Sequence, residues 1–189
     1  MGERLIAPWL DRISAPMARL ALERLTPQPG DHVLEVGFGG GALLRAIEGA
    51  GAIPIGIDVS EAAVARARRR HSQIHLAPVD RLPLADASIE KAVSLNSLYF
   101  WPDLPAGLAE IARVLKPGGR LVLGFEPPEE LRKWPGHVHG FRLYETKEIV
   151  AAAAAAGLGD PNLASGTGRK PDFFLCLSLT RLDATKAAP

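Results

Sequence analysis

Apolar residues in this chain occur in short dense runs, separated by stretches where they recur every three or four positions. The runs predict strands at "HVLEV" (Val33, Leu34, Val36), "AIPIGI" (Ile53, Ile55, Ile57), "IHL" near Ile74, "SIEKAVSL" over 88–95 and "GRLVLGF" (Leu121, Val122, Leu123, Phe125). The stretches between them predict helices from Gly41 to Ala50, from Ser60 to His71 and from Asp103 to Leu115. Ser60 and Asp103 supply N-caps, and "KPGG" stops the helix that carries Leu104, Leu108, Ile111 and Leu115 on one face. A further helix runs through "KEIVAAAAAAGL" to Gly157, and "DFFLCLSLTR" is a late strand. Strand and helix alternate, so the expected class is α/β with a mostly parallel sheet.

The first 25 residues carry an amphipathic helix with Met17, Leu20, Leu22 and Leu25 as apolar positions, which could cap a cleft. The expected organisation is one domain over 1–182, with that helical cap over 1–25, a substrate-side loop over 126–145 and a flexible tail over 183–189. A net charge of +1 gives no whole-chain reason to expect nucleic acid, and "RARRR" reads as a solvated helix face. No signal peptide or membrane-spanning run is evident, so the expected location is the cytoplasm, away from membranes. The single cysteine, Cys176, sits among apolar neighbours and reads as a buried thiol.

The chemistry starts at "VLEVGFGGG". Gly37 and Gly39 follow a strand, so the bare backbone there can approach a ligand; Gly41 would ease helix packing. Asp58, 21 residues beyond Gly37, ends the next strand and can accept from two ribose hydroxyls. The string "GFGGGA" also satisfies a dinucleotide fingerprint, and glycines in such turns can be purely structural. Glu35 discriminates between ligands: it either braces the turn or complements a cation, and it would repel a pyrophosphate.

Four stretches in register, "VLEVGFGGG", "GIDVS", "LPLADASIEKAVSLNSLYFWPD" and "EIARVLKPGGRLVL", resemble class I S-adenosylmethionine-dependent methyltransferases. The nearest likeness is the small bacterial subgroup with a minimal methyltransferase-11-like domain. The resemblance implies a Rossmann-like three-layer α/β/α sandwich, with a seven-stranded sheet of order 3-2-1-4-5-7-6 and an antiparallel last strand. "DFFLCLSLTR" would be strand 7, and "PNLAS" is the candidate for the penultimate strand. The implied cofactor is S-adenosylmethionine. Gly37 and Gly39 would pass beneath its methionyl and ribose parts, and Asp58 would hold the ribose hydroxyls. Val59 would pack on adenine, Asn96 would line the methionyl side, and Glu35 would order that end. Where the family places an aspartate for the adenine amine, this chain has Pro78, so Asp80 or the backbone at Val79 would take that contact.

The implied reaction is in-line methyl transfer to a small-molecule acceptor, driven by positioning and desolvation, with no metal required. Candidate acceptor-side residues are Tyr99, Phe100 and Trp101 after the fourth strand, and His137, His139, Arg142 and Tyr144 after the fifth. Each has a bland alternative as loop packing or an exposed side chain. His139 and Tyr144 are the candidates for proton transfer, whereas Glu126 and Glu129 read as exposed. The His-x-His pair lacks a third ligand at metal-binding spacing. Two other readings stay open: an NAD-dependent oxidoreductase and a non-catalytic cofactor-binding accessory protein.

Overall fold

The structure, a computed structural model, describes residues 3–133, 140–168 and 173–183, with side chains from Ser14 onward. Its elements run α1 (Glu3–Leu25), β1 (His32–Val36), α2 (Ala42–Gly49), β2 (Ile53–Asp58), α3 (Glu61–Ala67), β3 (Ile74–Leu76) and β4 (Ile89–Leu95). There follow a 3₁₀ turn (Leu98–Phe100), α4 (Leu104–Val114), β5 (Leu115–Phe125), α5 (Pro128–Leu131), α6 (Thr146–Ala155), β6 (Leu158–Thr167) and β7 (Phe173–Arg181). The seven strands form one sheet of order β3-β2-β1-β4-β5-β7-β6. β7 runs antiparallel to both β5 and β6, and the other pairs are parallel.

Strand alternation divides the core into two layers. Leu34 and Val36 of β1, Leu121, Leu123 and Phe125 of β5, and Leu175, Leu177 and Leu179 of β7 pack with Leu108, Ile111, Ile149 and Ala153 of α4 and α6. Val33, Val93, Val122, Phe174 and Cys176 face the opposite way, onto Met17, Ala21 and Leu25 of α1 and Leu43 and Ile47 of α2. α1 is therefore part of the sandwich. Arg24, near its end, secures it to the last hairpin through Nε to Ser178 Oγ at 2.8 Å and a bond to the Asn162 carbonyl at 3.0 Å.

The expected caps are present. Ser60 Oγ accepts from Ala63 N at 3.3 Å, and Asp103 Oδ1 accepts from Ala106 N at 2.9 Å. Three boundaries differ from the sequence reading. α3 stops at Ala67, and the arginines after it form a turn. β5 reaches back to Leu115, incorporating "KPGG" beside a register shift against β4. β6 is twice the length of "PNLAS": its ten residues, mostly exposed, are held by the antiparallel ladder to β7 despite a bulge between Gly159 and Asn162. Polar composition hides an edge strand of this kind, because pairing rather than burial defines it. No helix among the described residues is long and apolar enough to cross a membrane.

Candidate functional site

At the carboxyl ends of β1, β2, β4 and β5 lies a cavity of about 610 Å³. This is where an open parallel sheet places its ligands, because the crossovers diverge on either side of β1. The glycines of the β1–α2 turn line it for different reasons. Gly37 has φ +75°, and a Cβ there would lie 2.5 Å from Ser97 Cβ, so its bareness serves the approach of the β4 end. Gly39 has φ +46°, and a Cβ there would meet nothing within 4 Å, so its bareness serves the open cavity. Gly41 does not ease packing, as the sequence suggests. It is needed for its left-handed φ of +74° at the α2 N-cap, since a Cβ would meet only ordinary contacts.

Asp58, at the end of β2, spans the gap to this turn. Its Oδ2 accepts from Gly39 N at 2.9 Å and its Oδ1 from Ser60 N at 2.8 Å. A carboxylate has about four lone-pair sites, so two bonds leave acceptor capacity towards the cavity. Arg66, read from sequence as part of a solvated run, donates to the Gly39 carbonyl at 2.7 Å and braces the same turn from α3. Glu35 is buried at 4% exposure on the α1–α2 face of β1 and lines the cavity. Val59, 71% exposed, stands at the rim.

Beyond β4 the wall is held by a hydroxyl network. Ser94 Oγ donates to the Val36 carbonyl at 3.0 Å and lies 2.7 Å from Ser97 Oγ, which accepts from Trp101 Nε1 at 3.0 Å. Asn96 adopts φ +50°, a conformation its short polar side chain tolerates. Its Nδ2 donates to Ser14 Oγ of α1 at 3.4 Å, and its buried Oδ1 has no partner among the described residues. Tyr99 is buried, with its hydroxyl engaged by both the N–H and the carbonyl of Glu126. Burial holds the phenol well above its ordinary pKa of 10, which removes it as a proton acceptor.

The cavity thus brings together Glu35, Gly37, Gly39, Asp58, Val59 and Val79 with Asn96, Tyr99 and Trp101. Three expected site residues lie elsewhere. Asp80 is not in the lining, where Pro78 and Val79 stand; its Oδ1 is buried without a partner among the described residues. Arg142 points its guanidinium at the Pro102 carbonyl, and its N–H donates to the Tyr99 carbonyl at 3.0 Å, so it fastens the wall. Tyr144 packs against the α4–α6 core layer. His137 and His139 lie outside the described residues. Among the described residues, no group of three His, Cys, Asp or Glu could hold a metal ion.

Sequence reasoning missed Ser14 and Ala18 of α1, Leu131 and Phe141, all of which line the cavity. Glu126, expected to be exposed, is half-buried just after the end of β5 and also lines it. The signal for Glu126 and Leu131 was their place just after a sheet strand, where ligand-facing residues concentrate. Phe141 carried no such signal beyond being an aromatic in a polar stretch.

Comparison with known proteins gives a consistent picture. A family model described as a methyltransferase domain matches residues 34–123. A protein of Bacillus subtilis described as the uncharacterized methyltransferase YdaC is 30% identical over 153 residues, covering 78% of this chain and 81% of that protein. Nocamycin O-methyltransferase of Saccharothrix syringae is 33% identical over 168 residues, covering 82% of this chain and 59% of its own. The first curated relatives it matches are longer proteins, of which the chain spans between 32% and 59%. Among solved structures, a methyltransferase in complex with the Trm112 activator of Haloferax volcanii superposes with a TM-score of 0.82 at 24% identity, covering 92% of each chain.

Proposed function

The chain belongs to the class I S-adenosylmethionine-dependent methyltransferases, and from that premise we propose that it transfers a methyl group to a small, largely apolar molecule. The observation that carries the proposal is the pairing of Asp58 with the glycine turn across the mouth of the cavity.

The lining residues fit the cofactor. Gly39 leaves open the space a side chain would fill, Asp58 retains acceptor capacity, and the buried Asn96 Oδ1 has no partner among the described residues. Asp58 would hold the ribose hydroxyls and Val59 would cover one face of the adenine. Ala77, Pro78 and Val79 would meet the base edge through the backbone, since the Asp80 carboxylate is not in the lining. Asn96 would accept from the methionyl ammonium, with Ser14 of α1 beside it. Glu35 would set a negative potential favouring a cationic ligand and opposing a pyrophosphate, which argues against NAD.

When bound, S-adenosylmethionine supplies an electrophilic methyl group on a sulfonium. The chain's share is alignment and exclusion of water, and orientation of this kind contributes ~7–11 kcal/mol. The apolar wall of Leu131, Phe100 and Phe141 would exclude water from the acceptor side. For an acceptor that must lose a proton, Glu126 is the carboxylate lining the β5 side of the cavity. O-methyltransferases among the relatives support a small-molecule acceptor.

The test is incubation with methyl-labelled S-adenosylmethionine and a metabolite extract, followed by mass analysis of labelled products. Label in one apolar small molecule is the expected result. Cofactor binding without labelling of any product would instead support a non-catalytic accessory role.

A further inference from the structure

Phe100 is an anomaly in an otherwise buried wall. It lines the cavity and is 57% exposed, whereas its neighbours Tyr99 and Trp101 are 3% and 4% exposed. Those neighbours are committed elsewhere: the Tyr99 hydroxyl to the Glu126 backbone, the Trp101 indole to Ser97 Oγ. Phe100 itself is held in place. Phe141 meets its ring edge-to-face at 4.7 Å and 83°, and Phe141 in turn stacks on Tyr99 at 5.7 Å and 10°. The turn is pinned from both sides, by Phe100 N to the Ser97 carbonyl at 3.0 Å and by Arg142 N to the Tyr99 carbonyl at 3.0 Å.

A large apolar ring, held rigid and left uncovered at the mouth of a cavity, presents a ready surface to a flat partner. Its ordering cost is already met in the fold, so stacking on it translates into affinity.

Resting on the reading of this cleft as a methyl-transfer site, we infer that Phe100, backed by Phe141, is the specificity-determining residue for the acceptor, and that the acceptor carries a planar ring system. Tyr99, Trp101 and Arg142 are positioning residues that hold Phe100 in place.

The experiment titrates the protein, first saturated with S-adenosylhomocysteine, with two probes of the same carbon skeleton: 2-naphthol and its saturated counterpart decahydro-2-naphthol. The wild-type protein binds 2-naphthol, with the saturated probe weaker by about tenfold. F100A weakens 2-naphthol by about tenfold and leaves the affinity for S-adenosylhomocysteine unchanged, which also verifies the fold. F100L, apolar but not planar, loses the preference for the flat probe over the saturated one. Equal binding of 2-naphthol to wild type and F100A, equal binding of the two probes, or no binding of 2-naphthol to the loaded protein overturns the inference alone. Failure of S-adenosylhomocysteine itself to bind overturns the cofactor reading, and this inference with it.

Discussion

A Cβ placed on Gly37 would stand 2.5 Å from the Cβ of Ser97 and 2.7 Å from its hydroxyl oxygen. The end of β4 therefore closes on the glycine turn so tightly that one hydrogen is all the turn can carry there. G37A combines this collision with a φ of +75°, and strain plus overpacking should cost about 2–5 kcal/mol. Urea unfolding of G37A, S97G and the double variant separates the two causes. The double variant should be more stable than the sum of the single losses predicts, by the share due to collision.

G39A is the opposite case. Nothing crowds its Cβ direction, so the stability loss should be confined to left-handed strain of about 1–2 kcal/mol. The added methyl enters the cavity, and the affinity for S-adenosylhomocysteine should fall by roughly tenfold or more. Unfolding and calorimetry on one preparation check both halves.

The contrast between these two glycines shows how far the sequence could be read. Alternation of apolar residues in β1, β4 and β5 revealed the strands, and the spacing from Gly37 to Asp58 marked the end of β2, because local periodicity and turn chemistry agree there. The partners of those residues were hidden. Nothing near Gly37 in sequence points to Ser97, nor near Asn96 to Ser14, 82 positions away. Arg142 and Tyr144 show the same gap from the other side. Their residue types suited a substrate loop, but a carbonyl at Pro102 and the α4–α6 core layer claim them. Long-range packing decides such cases, and a single sequence does not carry it.

Stability should depend on Glu110 at low pH. Arg113 bonds it through Nε to Oε1 at 2.7 Å and Nη2 to Oε2 at 2.8 Å, and Leu82 N donates to Oε2 at 2.9 Å. The Arg113 guanidinium, and then the Leu82 amide, hold this carboxyl below its ordinary value of 4.5. A depressed folded-state pKa means stability that is present above about 4.5 and lost as pH falls through the folded value. Urea midpoints compared across this window should fall less steeply for E110Q than for wild type, with E110Q the weaker of the two at neutral pH.

Cys176 should be silent in the folded protein. It is fully buried, and burial pushes its thiol up to about 12. Thiolate is the reactive form, so labelling by a thiol reagent at neutral pH should wait for opening of the β5–β7 region. The labelling rate should rise with urea in step with unfolding. Rapid labelling without denaturant would place Cys176 outside the core.

Calorimetric titration of wild type and D58A with S-adenosylhomocysteine and with NAD bears on the cofactor site without any need to know the acceptor. Wild type should bind S-adenosylhomocysteine saturably, D58A should bind it roughly 10- to 100-fold more weakly, and neither should bind NAD comparably. Tight binding of NAD, or S-adenosylhomocysteine affinity indifferent to the loss of the Asp58 carboxylate, would contradict the assignment of this cleft to a sulfonium cofactor.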